Sequence, residues 1–541
     1  MRSSLGALRV QGACPGLLVA PHLARGAGVV RGGRAACSTS GARARPAARR
    51  LVQTARTAAV EAPATAAPPR AAPRAEEERP DAFDWHRCWY PLATLDSLDA
   101  GAPNALQLLG RGLVAWRPPS GGEWSVLEDA CPHRLAPLSE GRISDDGDLM
   151  CSYHGWTFDA AGGCASIPQI DDPKALATAR ASGRACVKRY PCKEMFGLLW
   201  VWGDASPGAA AEAAAAPATA APAELVSGAW DPKTPWFIRD VPVSVDTLIE
   251  NIVDPSHVQF SHHGVIGSRD APSRTAAALD APPTRDGGFT VSYSGPTPVD
   301  RVEFRPPGLS RWHFTDDLHM LLYAVPTRMG WSRIFMTNAG PKGSTRVRPP
   351  LPPGIPAIAK LIMAATENMP WLLHAIQHNH ILDGDDYFTH KAERRLYEGG
   401  EHASWSRQYF MPSSADAGVI GWRRWMDRFG SGLPLLPKSA ADLPPLMSKA
   451  EVFDRYHQHT VHCPHCKAAL RRINALTAVL AAAAAVAAGA IVAAAATGAA
   501  PLLSAFCGRA AAVAAAAAAA AVGLLRFRQL YIYYEYNHAH R

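Results

Sequence analysis

The chain has 541 residues, 48% of them apolar, and a formal charge of +8. That length accommodates two globular domains with appendages. The charge excludes nothing until it is placed: residues 1–60 hold ten arginines, no lysine and no acid, leaving about −2 for the rest (+8 less +10). A nucleic-acid-binding reading therefore has no basis in the body of the chain.

In chain order, the acid-free arm over 1–60, rich in Arg, Ala and Ser, reads as an organellar transit peptide, with a disordered basic tail as its alternative. Residues 61–84 read as a linker. Over 85–205, short apolar runs such as LQLLG, GLVAW and GLLWVW alternate with Gly and Pro turns, the pattern of a small antiparallel β-domain. Residues 206–229, an Ala/Pro-rich stretch, read as a linker or surface insertion. Residues 230–446 mix strands (FTVSYS, MLLYAV, RIFMTN) with helices around two histidines and around Trp371 to His380, predicting an α+β domain with room for a pocket. A Cys-x-x-Cys segment occupies 447–472. Two mostly alanine runs then fill 473–525 and read as two transmembrane helices, the first long enough to span a bilayer and the second only if it extends past Arg509, with a water-soluble hairpin as the alternative. Arg471 and Arg472 precede them and Arg526 and Arg528 follow, so two spans would place both basic flanks on one side. In the tail, 526–541, four tyrosines (Tyr531, Tyr533, Tyr534 and Tyr536) are expected near that membrane interface.

Three constellations carry chemistry. Cys131-Pro132-His133 and Cys151-Ser152-Tyr153-His154 supply two thiolates and two imidazoles from two loops. A Rieske [2Fe-2S] centre needs that set, with cysteines on one iron and histidines on the other. Zinc also accepts Cys₂His₂, but zinc sites pair Cys with Cys and His with His, whereas each loop here carries one of each. Glu250 to His257, followed by His262, offers two histidines for a non-heme Fe(II) site whose third ligand is a carboxylate. Asp254 lies three residues before His257, where a carboxylate can support the imidazole. The distant carboxylate falls in Leu382-Asp383-Gly384-Asp385-Asp386, expected just before a helix; the residues alone do not choose between Asp383, Asp385 and Asp386. Cys463 and Cys466 permit a disulfide, a lowered thiol pKa, or metal binding with histidines among His457, His459, His462 and His465.

The stretches CPHRLAPLSEGRISDDGDLMCSYHGW (131–156), TLIENIVDPSHVQFSHH (247–263), LDGD (382–385) and DRYHQHTVHCPHCK (454–467) resemble the Rieske-type oxygenases of chlorophyll metabolism, above all the pheophorbide a oxygenase group. The resemblance implies an α+β chain: an all-β Rieske domain, a helix-grip catalytic domain and a C-terminal α-helical membrane hairpin. It implies that Cys131, His133, Cys151 and His154 hold the cluster, and that His257, His262 and Asp385 hold a mononuclear non-heme Fe(II). Asp254 would bridge His257 to His154 of a neighbouring subunit in a homotrimer. Cys463 and Cys466 would form a redox pair open to thioredoxin. Expected partners are ferredoxin, O₂, a tetrapyrrole substrate and a membrane, with no nucleic acid. The implied reaction is monooxygenation that opens pheophorbide a to red chlorophyll catabolite, in the chloroplast, at the inner envelope or thylakoid, with the catalytic domains facing the stroma. The alternatives are a related oxygenase of (proto)chlorophyllide a or a later catabolite, and a non-catalytic envelope redox sensor of protein import.

Overall fold

The computed structural model describes residues 81–119, 121–217, 221–270, 275–295, 299–347, 366, 369–399, 404–497 and 502–540. The expected transit arm, most of the linker after it and the Pro-rich stretch Arg348 to Pro356 lie outside the described residues.

Three small antiparallel sheets make the first part. Trp89–Thr94 pairs with Leu198–Trp202, which pairs with Cys192–Met195; Asn104–Leu108, Arg111–Trp116, Ser125–Glu128 and Arg189–Tyr190 form the second sheet. The third, Arg142–Ile143, Leu149–Met150, Thr157–Phe158 and Cys164–Ser166, carries the loop of Cys151. Inward residues Val114, Trp116, Leu127, Leu149 and Phe158 build a separate apolar core around Cys131 and Cys151. Both sulfurs thus face a dry wall while the loop tips face outward.

The Ala/Pro stretch is more than a linker. Ala209–Ala215 and Ala223–Val226 are helices, with Ala209 and Ala213 buried. The small side chains let the backbone reach Trp89, whose indole N–H donates to the Ala213 carbonyl at 3.3 Å.

An eight-stranded antiparallel sheet organises the second part. Trp331–Pro341 pairs on one side with Trp230–Pro232 and Phe237–Val241, and on the other with Leu318–Arg328; the order continues through Leu309–Thr315, Arg301–Arg305, Phe289–Ser294 and Ala276–Leu279. Helices Val245–Ile252, Asn379–Tyr397 and Ala417–Phe429 pack in this domain. Six of the eight residues of Val245–Ile252 are buried, Asp246 among them. A buried carboxylate needs partners; Tyr397 OH donates to Asp246 at 2.8 Å and Arg423 Nη1 at 3.2 Å. Trp312 donates to the Ile252 carbonyl at 3.0 Å, fixing the end of this helix, just ahead of the histidine pair.

Pro464–Ala496 and Leu502–Arg528 pack together as a helical pair, and the stretches Pro464–Ala496 and Cys507–Tyr531 are long and apolar enough to cross a membrane. Val479, Val486, Val492, Val513 and Val522 are exposed along them. At their root Arg528 Nε donates to Asn474 Oδ1 at 2.7 Å, so the two basic flanks lie together.

In the tail, Tyr531 and Tyr536 are buried against protein. Tyr531 OH donates to the Trp371 carbonyl (3.2 Å) and Tyr536 OH to the Ser261 carbonyl (2.9 Å), while the Tyr534 ring packs on His380 with Arg455 over it. A buried tyrosine hydroxyl takes a fixed acceptor where one is offered.

Candidate metal centres

The two Cys/His loops share one backbone design. Cys131 N–H donates to the Ala136 carbonyl and Leu135 N–H to the Cys131 carbonyl; Cys151 N–H donates to the Trp156 carbonyl and Gly155 N–H to the Cys151 carbonyl. Each loop closes through a left-handed residue four after its cysteine, Leu135 at φ 60° and Gly155 at φ 74°. Glycine takes that conformation freely; for leucine it costs about 1–3 kcal/mol, strain of the kind that gathers at functional sites. Leu135 is also 76% exposed, so no packing recovers that cost.

The design separates the donors. Cys131 and Cys151 are buried, whereas His133 is exposed and His154 partly so. The two imidazoles lie 4.5 Å apart, centroid to centroid, and His133 stacks on Trp156 at 4.9 Å and 3°. Burial, with Cys151 close by, pushes the Cys131 thiol up to about 11. A thiolate pair there therefore needs a cation to face it. The donor set, sulfurs inside and imidazoles outside, fits a [2Fe-2S] cluster with its histidine iron toward solvent.

The second constellation comes from three segments. Helix Val245–Ile252 ends, and Asp254 caps the following turn, Pro255–His257, by accepting the Ser256 N–H at 2.9 Å. That turn and the short helix Val258–Ser261 bring His257 and His262 edge to face, with centroids 5.1 Å apart. Helix Asn379–Tyr397 supplies the carboxylate. Asp385 Oδ2 is 3.2 Å from His262 Nε2 and 3.6 Å from His257 Nε2. Metal bonds of about 2.1 Å at right angles set neighbouring donors about 3 Å apart, so a small contraction of these distances places the three donors around an ion. Ser261 Oγ donates to the other oxygen, Oδ1, at 2.7 Å, leaving Oδ2 for the shared position.

The charge balance points the same way. Burial alone would raise the Asp385 carboxyl, yet the imidazoles of His262 and His257 hold it well below the carboxylate range. Burial alone would lower His257, yet Asp385 and Asp254 raise it to about 10. One carboxylate facing two imidazoles is a charge pattern that a divalent cation would satisfy. Asp254 Oδ2 lies 3.8 Å from His257 Nδ1, which among the described residues has no hydrogen-bond partner. Asp254 and His257 keep 22% and 20% side-chain exposure, so this flank of the site opens outward.

Geometry separates the three aspartates. Asp383 and Asp386, three apart, share a helix face. Asp383 pairs with buried Arg239 (2.8 Å), and Arg455 Nε donates to it at 2.8 Å; Asp386 lies 3.1 Å from Arg239. Asp385 points the other way. The acidic cluster lies inside the helix rather than before it, because buried arginines neutralise it there. Gly384 is required by close approach: a Cβ there would sit 2.9 Å from His262 Nδ1 and 3.0 Å from the Ser261 carbonyl.

Residues 88–191 match the Rieske [2Fe-2S] domain family and residues 291–403 the pheophorbide a oxygenase family. Pheophorbide a oxygenase of Oryza sativa subsp. japonica, a chloroplastic protein, is 33% identical over 424 residues, covering 73% of this chain and 75% of that protein. The chain belongs to the pheophorbide a oxygenase family. It is accordingly an oxidoreductase of the Rieske oxygenase class with a [2Fe-2S] domain. Flavonoid 8-hydroxylase 2 of Ocimum basilicum, also chloroplastic, is 31% identical over 439 residues, covering 76% of this chain and 79% of that protein. Among solved structures, dicamba monooxygenase bound to dicamba aligns over 64% of this chain and 98% of its own, at 21% identity and a TM-score of 0.45.

Sequence reasoning missed the groups that support this member's site. Ser261 was hidden inside the histidine motif. Tyr536 and His538, which donate to the Ser261 and Gly384 carbonyls at 2.9 and 3.0 Å, return from beyond the apolar helices, and no local signal marks them. Among nearby aromatics, Trp371 belongs to the root of the helical pair, Phe388 stacks on His538 at 4.1 Å, and Phe260 is exposed.

Proposed function

We propose that this chain is a ferredoxin-dependent monooxygenase of a chlorophyll-derived tetrapyrrole, and that it opens the pheophorbide a macrocycle to red chlorophyll catabolite. The observation that carries the reaction class is Asp385 Oδ2 facing both His257 and His262 at 3.6 and 3.2 Å, in a chain that also bears a Rieske domain. A redox sensor has no use for that second site. The substrate class rests on the rice relative named pheophorbide a oxygenase.

In this reading Cys131, Cys151, His133 and His154 hold the cluster, and His257, His262 and Asp385 hold Fe(II) through Nε2, Nε2 and Oδ2. When bound, these centres supply electrons singly and an iron with open positions for O₂. The protein's own part is positional. Asp254 stands beside His257 Nδ1, placed to accept a hydrogen bond from its N–H and to meet His154 of a neighbouring subunit in a homotrimeric ring. Ser261 fixes Asp385 by its Oδ1 edge. Tyr536 and His538 tie the segments bearing His262 and Asp385 to the tail.

Localisation follows from the same parts. The chloroplastic relatives and the acid-free N-terminal arm support a plastid. The apolar pair supports a membrane anchor, and its basic root supports a stromal face for the catalytic domains. Detergent-purified protein, reduced ferredoxin and O₂ should convert pheophorbide a to an open-chain product bearing one oxygen atom from ¹⁸O₂. Because the basil relative is named for a flavonoid, the panel also includes a flavone, chlorophyllide a and protochlorophyllide a. Turnover of one of these with pheophorbide a untouched would overturn the substrate assignment.

A further inference from the structure

A second buried group of metal-binding side chains lies outside the oxygenase site. Cys463 caps the N-terminus of helix Pro464–Ala496 and Cys466 lies in its first turn. Two histidines reach these sulfurs from elsewhere: His374, from the turn His374–His378 just before the Asp385 helix, and His459, from the turn Tyr456–Thr460. One donor atom from each of the four lies within 4.8 Å of all the others, and all four residues are buried.

Three donor–donor distances are of the length expected for edges of a tetrahedral site. Cys463 Sγ is 3.4 Å from His374 Nδ1, Cys466 Sγ 3.3 Å from His459 Nε2, and Cys466 Sγ 3.9 Å from His374 Nδ1. A zinc ion with S at about 2.3 Å and N at about 2.0–2.1 Å separates neighbouring S and N donors by about 3.5 Å. His459 Nδ1 sits 2.5 Å from the Ile238 carbonyl. With the proton on Nδ1 donated there, Nε2 is free to ligate, the outer support that metal-bound imidazoles usually have. Phe237 stacks on the His459 ring and meets His374 edge-on, closing the site to water.

We propose that His374, His459, Cys463 and Cys466 form a closed structural Zn²⁺ site that fastens the root of the apolar helical pair to the helix bearing Asp385. Binding exchanges two thiol protons for one divalent ion, leaving a neutral centre suited to a dry interior. A Cys463–Cys466 disulfide would make no use of the two histidines that converge from other segments. Of the histidines near the motif in sequence, His457 instead faces Asp454 (2.6 Å), His462 faces Asp240 (3.3 Å) and His465 faces Asp96 (3.8 Å). The site also stands beside Tyr531, whose carbonyl accepts Thr460 Oγ1 at 2.7 Å, so it pins the chain on both sides of the helical pair.

The test is elemental analysis and zinc-edge absorption on the full-length protein purified in detergent without added chelator. One zinc per chain, with two sulfurs at about 2.3 Å and two nitrogens at about 2.0–2.1 Å, is expected. His374→Asn and Cys466→Ser should each lose that zinc while keeping the reduced Rieske signal, and His457→Asn should keep it. Zinc-free wild type carrying a Cys463–Cys466 disulfide by mass spectrometry would overturn the proposal. So would zinc retained in a Cys463→Ser, Cys466→Ser double variant. None of these readouts depends on turnover, so failure here is distinct from failure of the oxygenase assignment.

Discussion

Asp383→Asn tests the division of labour inside the acidic cluster. The carboxylate is fully buried between two fully buried guanidiniums, Arg239 and Arg455. Removing one partner of a buried ion pair costs about 3–5 kcal/mol. The lower end applies here, because Arg239 keeps Gln458 Oε1 at 2.9 Å and Asp386 at 3.1 Å, and Arg455 keeps the Ala375 and Leu530 carbonyls at 3.0 and 2.8 Å. At about 2–4 °C per kcal/mol for a domain of roughly 200 residues, a loss of about 3 kcal/mol lowers Tm by about 6–12 °C. Thermal scans in detergent by circular dichroism would measure it, on chelator-treated protein so that metal binding does not enter. Mononuclear iron should still load into Asp383→Asn at low temperature. Asp385→Asn should lose the iron, and its iron-free form should also be less stable near neutral pH, because that carboxylate holds the His257 proton. Unchanged stability together with lost iron in Asp383→Asn would refute the reasoning.

Other outcomes follow from the same geometry. Asp254→Asn should leave both metal centres loaded yet slow oxygenation about 10–100-fold, read by single-turnover kinetics; wild-type rates would remove the bridging role. His154→Cys should abolish the Rieske spectrum or lower the potential by roughly 250 mV or more, because an all-cysteine cluster lies near −400 mV; voltammetry decides. Iron removal should make stability pH-dependent. The folded-state pKa of His257, about 10, exceeds its unfolded value of about 6.5, so its proton stabilises the iron-free fold fully below pH 6.5 and that contribution is lost as pH rises through about 10. Denaturant titrations of iron-free and iron-loaded protein between pH 6 and 10 should diverge toward high pH.

The sequence was most legible where the chemistry is local. The cluster loops could be read because all four donors lie within 24 positions, and the backbone bonds that shape each loop are also local. The β-rich first part and the α+β second part followed from alternation and turn residues. The choice of Asp385 was not legible from residues alone. It depends on Arg239 and Arg455, 144 and 72 residues away from Asp383, claiming the opposite helix face. The protein contacts of the tail tyrosines were not legible because their acceptors, the Trp371 and Ser261 carbonyls, come from distant segments. His374 was missed as a partner of the Cys-x-x-Cys motif for the same reason: it lies 89 residues before Cys463.

The central claim is that a second, mononuclear iron sits on His257, His262 and Asp385 in a chain whose first domain holds a Rieske cluster. Anaerobic addition of nitric oxide to the iron-loaded, reduced protein, followed by electron paramagnetic resonance, tests it most directly. A high-spin ferrous–nitrosyl signal beside the cluster signal is predicted, the former disappearing in Asp385→Asn and the latter unchanged. No nitrosyl signal in wild type, or one that persists without Asp385, would contradict the assignment.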